Sequence, residues 1–142
     1  MEDILLTITH GIRNTTDPDA RYSEMPKFGV DGLLDATQID QVVEHVLAIS
    51  GQENDATLAA AGATVWTDAG CSGCHMDDGT GDRTQGAPNL TDAIWLYGGS
   101  REAIRESVYY ARFGVMPNWN TRLSEDELRA VAFYVHSRGG GE

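Results

Sequence analysis

The two cysteines of the chain lie in one short motif, Cys71-Ser72-Gly73-Cys74-His75. This Cys-x-x-Cys-His pattern is the attachment sequence of c-type haem. Thiols three residues apart on a helix lie about one turn apart, so each can form a thioether with one vinyl group of the same haem. The imidazole that follows the second thiol then lies under the porphyrin and can reach the iron. The motif therefore predicts one covalently bound haem c.

Two closely spaced cysteines have three other common uses: a redox dithiol, part of a zinc site, and a structural disulfide. A structural zinc site needs about four ligands, commonly as two separated pairs, and the chain has no further cysteine. A redox dithiol is expected in a βαβ context, and no strand pattern surrounds the motif. Haem attachment is therefore the preferred interpretation.

The composition excludes some classes of partner. The 142 residues suit one domain or two small ones, and 41% hydrophobic residues allow a modest core. The net charge is −12, from 10 basic and 22 acidic residues, which argues against nucleic-acid binding. The acidity is explained either by solubility or by docking to a basic partner. Lys27 is the only lysine, so a lysine-rich docking surface is excluded.

The chain has no apolar run of about 18 residues that could cross a membrane. Its start, Met1-Glu2-Asp3, lacks the basic region of a signal peptide. Covalent haem attachment nevertheless requires maturation outside the cytoplasm. We therefore expect that Met1 is not the natural start and that an export or anchor segment precedes it.

Hydrophobic spacing and capping patterns predict an all-α fold. Predicted helices cover 2–10 (ended by Gly11), 35–50 behind a D-x-x-Q capping box, 58–67, a short turn at 92–97, 100–111 with a stop at Gly114, and 124–137 behind an S-x-x-E box, ended by the glycines at 139–141. The residues expected to face the core are Ile4, Leu5, Ile8, Ile39, Val42, Val43, Val46, Leu47, Ile104, Val108, Leu128, Val131, Ala132 and Val135.

The order of features indicates an internal repeat. A helix, a glycine, a Met-Pro pair, an aromatic residue and a capped helix occur twice, with Met25-Pro26 matching Met116-Pro117. The second copy also has the haem motif, whereas the first begins in mid-module. We therefore predict a truncated half-module at 1–51 without a haem motif, a linker at 52–57, and a complete haem domain at 58–142.

Electron-transfer haem needs a second axial ligand, and a methionine thioether in that role raises the reduction potential relative to a second histidine. Met116 is the leading candidate because it follows the motif in the same module and precedes the rigid Pro117. Met25 is the alternative, as a ligand that crosses over from the first copy. Met76 directly follows His75 and cannot reach the opposite face of the haem.

Further contacts to the cofactor are expected from several side chains. The Pro88 carbonyl is expected to accept from Nδ1–H of His75 and so orient the ligating imidazole. Arg112 is a candidate partner for a haem propionate, with a solvated helix-end arginine as the equal alternative. The other residues expected at the cofactor are Leu90, Trp95, Tyr97 and Trp119, whereas His10, His45 and His136 are expected on helix faces or the surface.

The second half of the chain resembles class I cytochrome c. More narrowly, the whole chain resembles the C-terminal periplasmic part of the di-haem CcoP/FixP subunits of cbb-type cytochrome c oxidases. The stretches that carry this resemblance are His10–Arg13, Met25–Gly32, Gly86–Gly98, Gly114–Pro117 and Tyr134–Ser137 with its glycine tail.

The resemblance implies a class I cytochrome c fold and a one-electron carrier that makes and breaks no substrate bonds. It further implies electrons from a soluble cytochrome c or the bc complex, passed towards the haem–copper subunit that reduces oxygen, on the periplasmic side of the inner membrane. The chain departs from the family by lacking the anchor and the first haem motif. The runner-up function is a gas-binding or gas-sensing haem domain whose methionine ligand is displaced.

Overall fold

A computed structural model describes residues 1–139, and the part of the chain that it describes is all-α, as predicted. Beyond its helices it has only isolated β-bridges and no strand. None of the helices within 1–139 combines the length and apolar character needed to cross a membrane. The helices are α1 (Glu2–His10), α2 (Ala36–Ile49), α3 (Ala56–Asp68), α4 (Ser72–His75), α5 (Arg101–Tyr110) and α6 (Glu125–Ser137).

The helices divide between two compact units. The continuous unit is Glu24–Arg112 and contains α2 to α5. The discontinuous unit combines Met1–Ser23 with the described residues from Phe113 onward, and contains α1 and α6. The haem motif therefore shares its unit with residues from the first copy of the repeat.

Helix α2 supplies much of the core of the continuous unit. Its N-cap is the predicted capping box, in which the Asp35 carboxylate accepts from the Gln38 N–H at 2.9 Å and the Gln38 side chain accepts from the Asp35 N–H at 3.0 Å. All five of its predicted inward residues are 3% exposed or less, which confirms the assigned face: Ile39, Val42, Val43, Val46 and Leu47.

Helices α2 and α3 cross in close contact at Gly62. A Cβ at this position would come within 2.0 Å of the Gln41 carbonyl oxygen, so only glycine allows the two backbones to approach so closely. Next to the crossing, the His45 ring packs on the Trp66 ring, with 5.4 Å between the ring centroids. Because α3 leads into the haem motif, this contact joins α2 to the helix that precedes the motif.

Ion pairs also hold α2 in place. The Glu44 side chain is only 7% exposed; its carboxylate pairs with Arg101 of α5 and accepts from the Asp55 N–H at 2.7 Å. The Arg101 hydrogen bond lowers the pKa of Glu44, which keeps the buried carboxylate charged. The Asp55 side chain also caps α3, which therefore begins two residues before the predicted Leu58.

Helices α1 and α6 pack together in the discontinuous unit. Their core is Ile8, Leu128 and Ala132, flanked by partly buried Ile4, Leu5, Met116, Trp119, Leu123 and Val135. The prediction for Val131 was wrong: the residue is 39% exposed and lies outside this core.

The predicted ends of α1, α2 and α6 agree with the structure. Helix α1 ends at Gly11, where φ is 75°, and α6 ends at Ser137 behind its confirmed capping box. The glycine run begins at Gly139, and its two further glycines lie outside the described residues. Helix α2 ends at Ile49, as expected near Ser50.

One local prediction was wrong. Residues 92–97 form bends and a turn and no helical turn, and the Asp92 carboxylate accepts from the Ile94 N–H at 2.8 Å, a hydrogen bond that competes with a helix. Helix α5 ends at Tyr110 with Ala111 as its C-cap, in agreement with the predicted end at Ala111; the left-handed residue that ends it is Ala111, with φ of 50°, and not Gly114.

The crossing at Gly62 gives a testable prediction. Gly62→Ala should lower the free energy of unfolding by about 1–3 kcal/mol, because the added methyl group meets a rigid backbone carbonyl. The helix-propensity gain of up to about 1 kcal/mol does not offset that clash. Gly114→Ala is the matched control, because an added Cβ there meets nothing within 4 Å. Urea unfolding of both variants is the measurement, and equal stability would contradict the close crossing.

Candidate haem-binding site

The haem motif begins where α3 ends. After the cap residue Ala69 and Gly70, with φ of 78°, the Cys71 N–H donates to the Trp66 carbonyl at 3.0 Å. The chain then makes the single turn of α4, in which the His75 N–H donates to the Cys71 carbonyl at 2.9 Å. The two thiols and the imidazole are therefore presented by one turn, as their spacing predicts.

The two thiols are free and lie in different environments. Cys71 is buried in the same apolar cluster as Trp66, Ile104 and Val108, and burial raises the pKa of its thiol to about 11. Cys74 is exposed. A disulfide between the two cysteines is absent, so both sulfurs are available for thioether bonds.

The His75 imidazole is oriented by a backbone carbonyl. Its Nδ1 lies 3.1 Å from the Pro88 carbonyl oxygen, the predicted partner, and Nδ1–H as donor leaves the Nε2 lone pair for a metal. Burial lowers the pKa of His75, which favours the neutral imidazole that binds metals. The Trp66 ring lies 5.8 Å from the imidazole, centroid to centroid.

The loop that carries Pro88 is held close to the motif. The Gly81 N–H donates to the His75 carbonyl at 3.0 Å, and a Cβ at Gly81 would come within 2.6 Å of the Pro88 carbonyl. The Leu90 N–H donates to the Gly79 carbonyl at 2.8 Å. These bonds set the position of the carbonyl that orients His75.

The structure groups some of the predicted cofactor contacts with the motif. Leu90 and Trp95 are partly buried against the cluster that contains Cys71, and so is Met25. Met116 and Trp119 instead pack with α1 and α6 in the discontinuous unit. There Met116 exchanges backbone hydrogen bonds with Ile12, at 2.9 and 3.0 Å.

Arg112 follows the C-cap of α5, and one of its guanidinium nitrogens has no hydrogen-bond partner among the described residues. Its guanidinium stacks over the ring of the exposed Tyr97 at 4.8 Å, pairs with Glu106 at 3.1 Å, and donates from Nη2 to the Ala103 carbonyl at 3.2 Å. Its buried Nε has no hydrogen-bond partner within residues 1–139. A carboxylate such as a haem propionate would satisfy this donor.

Trp66 is a site residue that was not singled out from the sequence. It is 3% exposed, contacts the imidazole, and donates from Nε1 to the Met76 carbonyl at 3.2 Å. The available signal was an aromatic residue on the helix before the motif, five positions ahead of Cys71.

These residues fit a c-type haem. The chain offers two free thiols on one turn, a neutral imidazole with its second nitrogen engaged, apolar side chains around the buried thiol, and a buried guanidinium nitrogen without a partner. This set of donors differs from that of a structural zinc site, which would need about four ligands.

Comparison with known proteins identifies the family to which the chain belongs. Residues 59–139, more than half of the chain, match the family model for cytochrome c. The chain therefore belongs to the cytochrome c family, and its two cysteines are consistent with one covalently bound haem c.

Particular relatives are similar over the whole chain. The cbb3-type cytochrome c oxidase subunit CcoP of Cereibacter sphaeroides is 68% identical over 142 residues, covering 100% of this chain and 49% of that protein. CcoP of a Rhodobacter capsulatus strain is 48% identical over 150 residues, covering 100% and 50%. FixP of Sinorhizobium medicae is 40% identical over 141 residues, covering 99% and 48%. The chain thus spans about half the length of these relatives, and the resemblance noted from the sequence is confirmed.

The different burial of the two thiols leads to a prediction for the haem-free chain. With a pKa of about 11, roughly one Cys71 thiol in ten thousand is ionised at pH 7, and only the thiolate is reactive. Iodoacetamide should therefore alkylate Cys74 at least about tenfold faster than Cys71. Peptide mass spectrometry over a time course measures both rates. Equal rates in the folded protein, with unfolded protein in urea as the reference, would contradict the burial of Cys71.

Proposed function

We propose that this chain is an electron-carrier domain that binds one haem c through Cys71 and Cys74, with His75 as an iron ligand. The observation that carries this proposal is the His75 imidazole, held by Pro88 on the same turn as two free thiols. When bound, haem supplies a one-electron couple between ferric and ferrous iron. The chain would therefore transfer single electrons and neither make nor break bonds in a substrate.

The protein's contribution is to orient ligands and exclude water. The Pro88 carbonyl keeps the imidazole in one tautomer and one orientation, so that its Nε2 would be held ready to bind iron. Leu90, Trp95 and the buried Cys71 provide apolar surroundings, and a low dielectric around the site affects its potential. Arg112 would donate to a propionate through its buried Nε, which has no hydrogen-bond partner within residues 1–139.

The relatives suggest where such a carrier works. They are subunits of cbb3-type cytochrome c oxidases, so we propose a place in such a complex, on the periplasmic side of the inner membrane. There the chain would pass electrons from a cytochrome c or bc-complex donor towards the haem–copper subunit. The repeat supports residues 1–51 as the rear half of a second cytochrome c module, followed by a linker and the haem domain at 58–142.

The alkaline pyridine haemochrome spectrum tests the cofactor directly. We expect the band position typical of two thioether bonds in protein matured with the haem-attachment machinery. Cys74→Ala should shift the band to the position typical of one remaining vinyl group. Protein that carries no haem after maturation, or haem that acid-acetone extracts, would refute the proposal.

Carbon monoxide separates the electron carrier from the gas-binding alternative. We expect the spectrum of the reduced protein to stay unchanged on mixing with CO, because both axial positions of a low-spin carrier are filled. Stopped-flow absorbance is the measurement, and free haem in detergent is the positive control. A prompt shift of the Soret band would favour the gas-binding alternative.

The net charge of −12 predicts how electron transfer depends on salt. Oxidation of the reduced protein by the cation tris(phenanthroline)cobalt(III) should slow as ionic strength rises from about 0.01 to 0.5 M, because screening removes the attraction. Oxidation by the anion ferricyanide should accelerate over the same range. Stopped-flow rates measure both, and the same sign of salt dependence with both oxidants would contradict steering by the acidic surface.

A further inference from the structure

Met76, the residue directly after His75, has a backbone conformation that residues with a side chain rarely adopt. It follows α4 with φ of 64° and ψ of 166°, a combination that is populated almost only by glycine and that costs free energy for any other residue. Ala111 also has a positive φ, but its ψ of 62° gives the ordinary left-handed conformation. A strained conformation such as that of Met76 persists only where the surrounding contacts hold it.

Two hydrogen bonds hold the carbonyl of Met76. Trp66 donates to it from Nε1 at 3.2 Å, and the Gly79 N–H donates to it at 3.3 Å. The second bond comes from the loop that Met76 itself begins, whereas the first comes from α3, a long helix of the core. Trp66 is 3% exposed, so little water is available to replace its N–H. Trp66 is therefore the contact that ties the strained residue to the core.

The conformation of Met76 affects the carbonyl that orients the imidazole. The chain turns at Met76 and then folds back, so that the Gly81 N–H donates to the His75 carbonyl at 3.0 Å and the Pro88 carbonyl lies 3.1 Å from Nδ1 of His75. Both partners follow Met76 in the chain, and their positions depend on the direction in which the chain leaves it. A relaxed Met76 would therefore displace the Pro88 carbonyl from His75.

The Trp66 ring is placed by a residue of α2. The His45 ring packs on it with 5.4 Å between the centroids, and the Trp66 ring in turn lies 5.8 Å from the imidazole of His75. Trp66 thus contacts His75 through its ring and Met76 through its N–H. One buried side chain acts on two consecutive residues, the candidate iron ligand and the strained turn that follows it.

We propose that Trp66 is a positioning residue of the haem site: its indole N–H holds Met76 in the strained conformation and thereby keeps the Pro88 carbonyl on Nδ1 of His75. This inference rests on the proposed function, because it takes His75 as an iron ligand. Without the indole bond, Met76 relaxes and the bond between Pro88 and His75 weakens. The imidazole then becomes a weaker donor to iron, because the partner of the second nitrogen raises ligand basicity.

The variant Trp66→Phe of the haem-loaded full chain tests the indole bond, because it keeps an aromatic ring and removes the N–H. We expect its reduction potential to rise, because a weaker imidazole donor stabilises ferric iron less. In the reduced protein, exchange of the His75 Nδ1–H with solvent, followed by NMR, should accelerate roughly two- to tenfold, the factor expected for the loss of one net hydrogen bond.

Substitutions at Met76 test the route by which Trp66 acts. Met76→Gly removes the strain, because glycine adopts a positive φ without steric cost. Adding Trp66→Phe to Met76→Gly should therefore leave the potential and the exchange rate close to those of Met76→Gly alone. Met76→Leu is the matched control, because it keeps a side chain and the strain, and Trp66→Phe should have its full effect there. Equal effects of Trp66→Phe in the two backgrounds would overturn the proposal.

The outcomes are distinguishable from failure of the proposed function. A parent protein without thioether-linked haem refutes the function, and the pyridine haemochrome reports this for the parent and for each variant. With haem attached, an unchanged potential and exchange rate in Trp66→Phe show that Trp66 only fills the core, which overturns the proposal.

A variant that fails to mature is also informative. If Trp66→Phe carries no haem, the yield of haem-loaded protein replaces the potential as the readout. Met76→Gly combined with Trp66→Phe should then recover haem attachment, whereas Met76→Leu combined with Trp66→Phe should not. No recovery with Met76→Gly, or equal recovery with both, overturns the proposal.

Discussion

The arrangement of the haem-motif unit depends on the close crossing of α2 and α3 at Gly62. At this point the two backbones meet without an intervening side chain, so the apolar faces of both helices come into full contact. The crossing sets the direction of α3, which ends at Asp68, shortly before Cys71. Trp66, on the same helix, contacts the imidazole of His75 and donates from Nε1 to the carbonyl of Met76. The position of α3 therefore affects the position of both groups.

The buried charge of the continuous unit and the net charge of the chain have different effects. The one charged side chain on the buried face of α2, Glu44, is neutralised by Arg101 and by the Asp55 N–H. Its pKa is lowered by the Arg101 hydrogen bond, so its contribution to stability is present above the pKa of an unfolded glutamate. That contribution is lost as pH falls through the lower pKa of the folded state. The remaining acidity gives the chain its net charge of −12, which acts at longer range on charged partners.

Both units contain residues from both copies of the repeat. Each copy has a helix before its Met-Pro pair and a capped helix after it, and the copies share hydrophobic spacing. The two capped helices therefore present apolar faces with the same spacing. Two side chains of α2 that pair with α5 have no equivalent in α6: Glu44 pairs with Arg101, and Asp40 pairs with Arg105.

The sequence by itself determined the features that depend on neighbouring residues. The haem motif, both capping boxes, the buried face of α2 and the Pro88 partner of His75 were all predictable, because turn geometry and helix period act over a few positions. The bends at 92–97 were missed because a side-chain hydrogen bond of Asp92 competes there with the helix. Only the tertiary structure decided which copy's helix crosses α3 and which methionine shares a core with Cys71. Those choices rest on contacts between residues far apart in the chain, and two copies with the same local pattern cannot be told apart by that pattern.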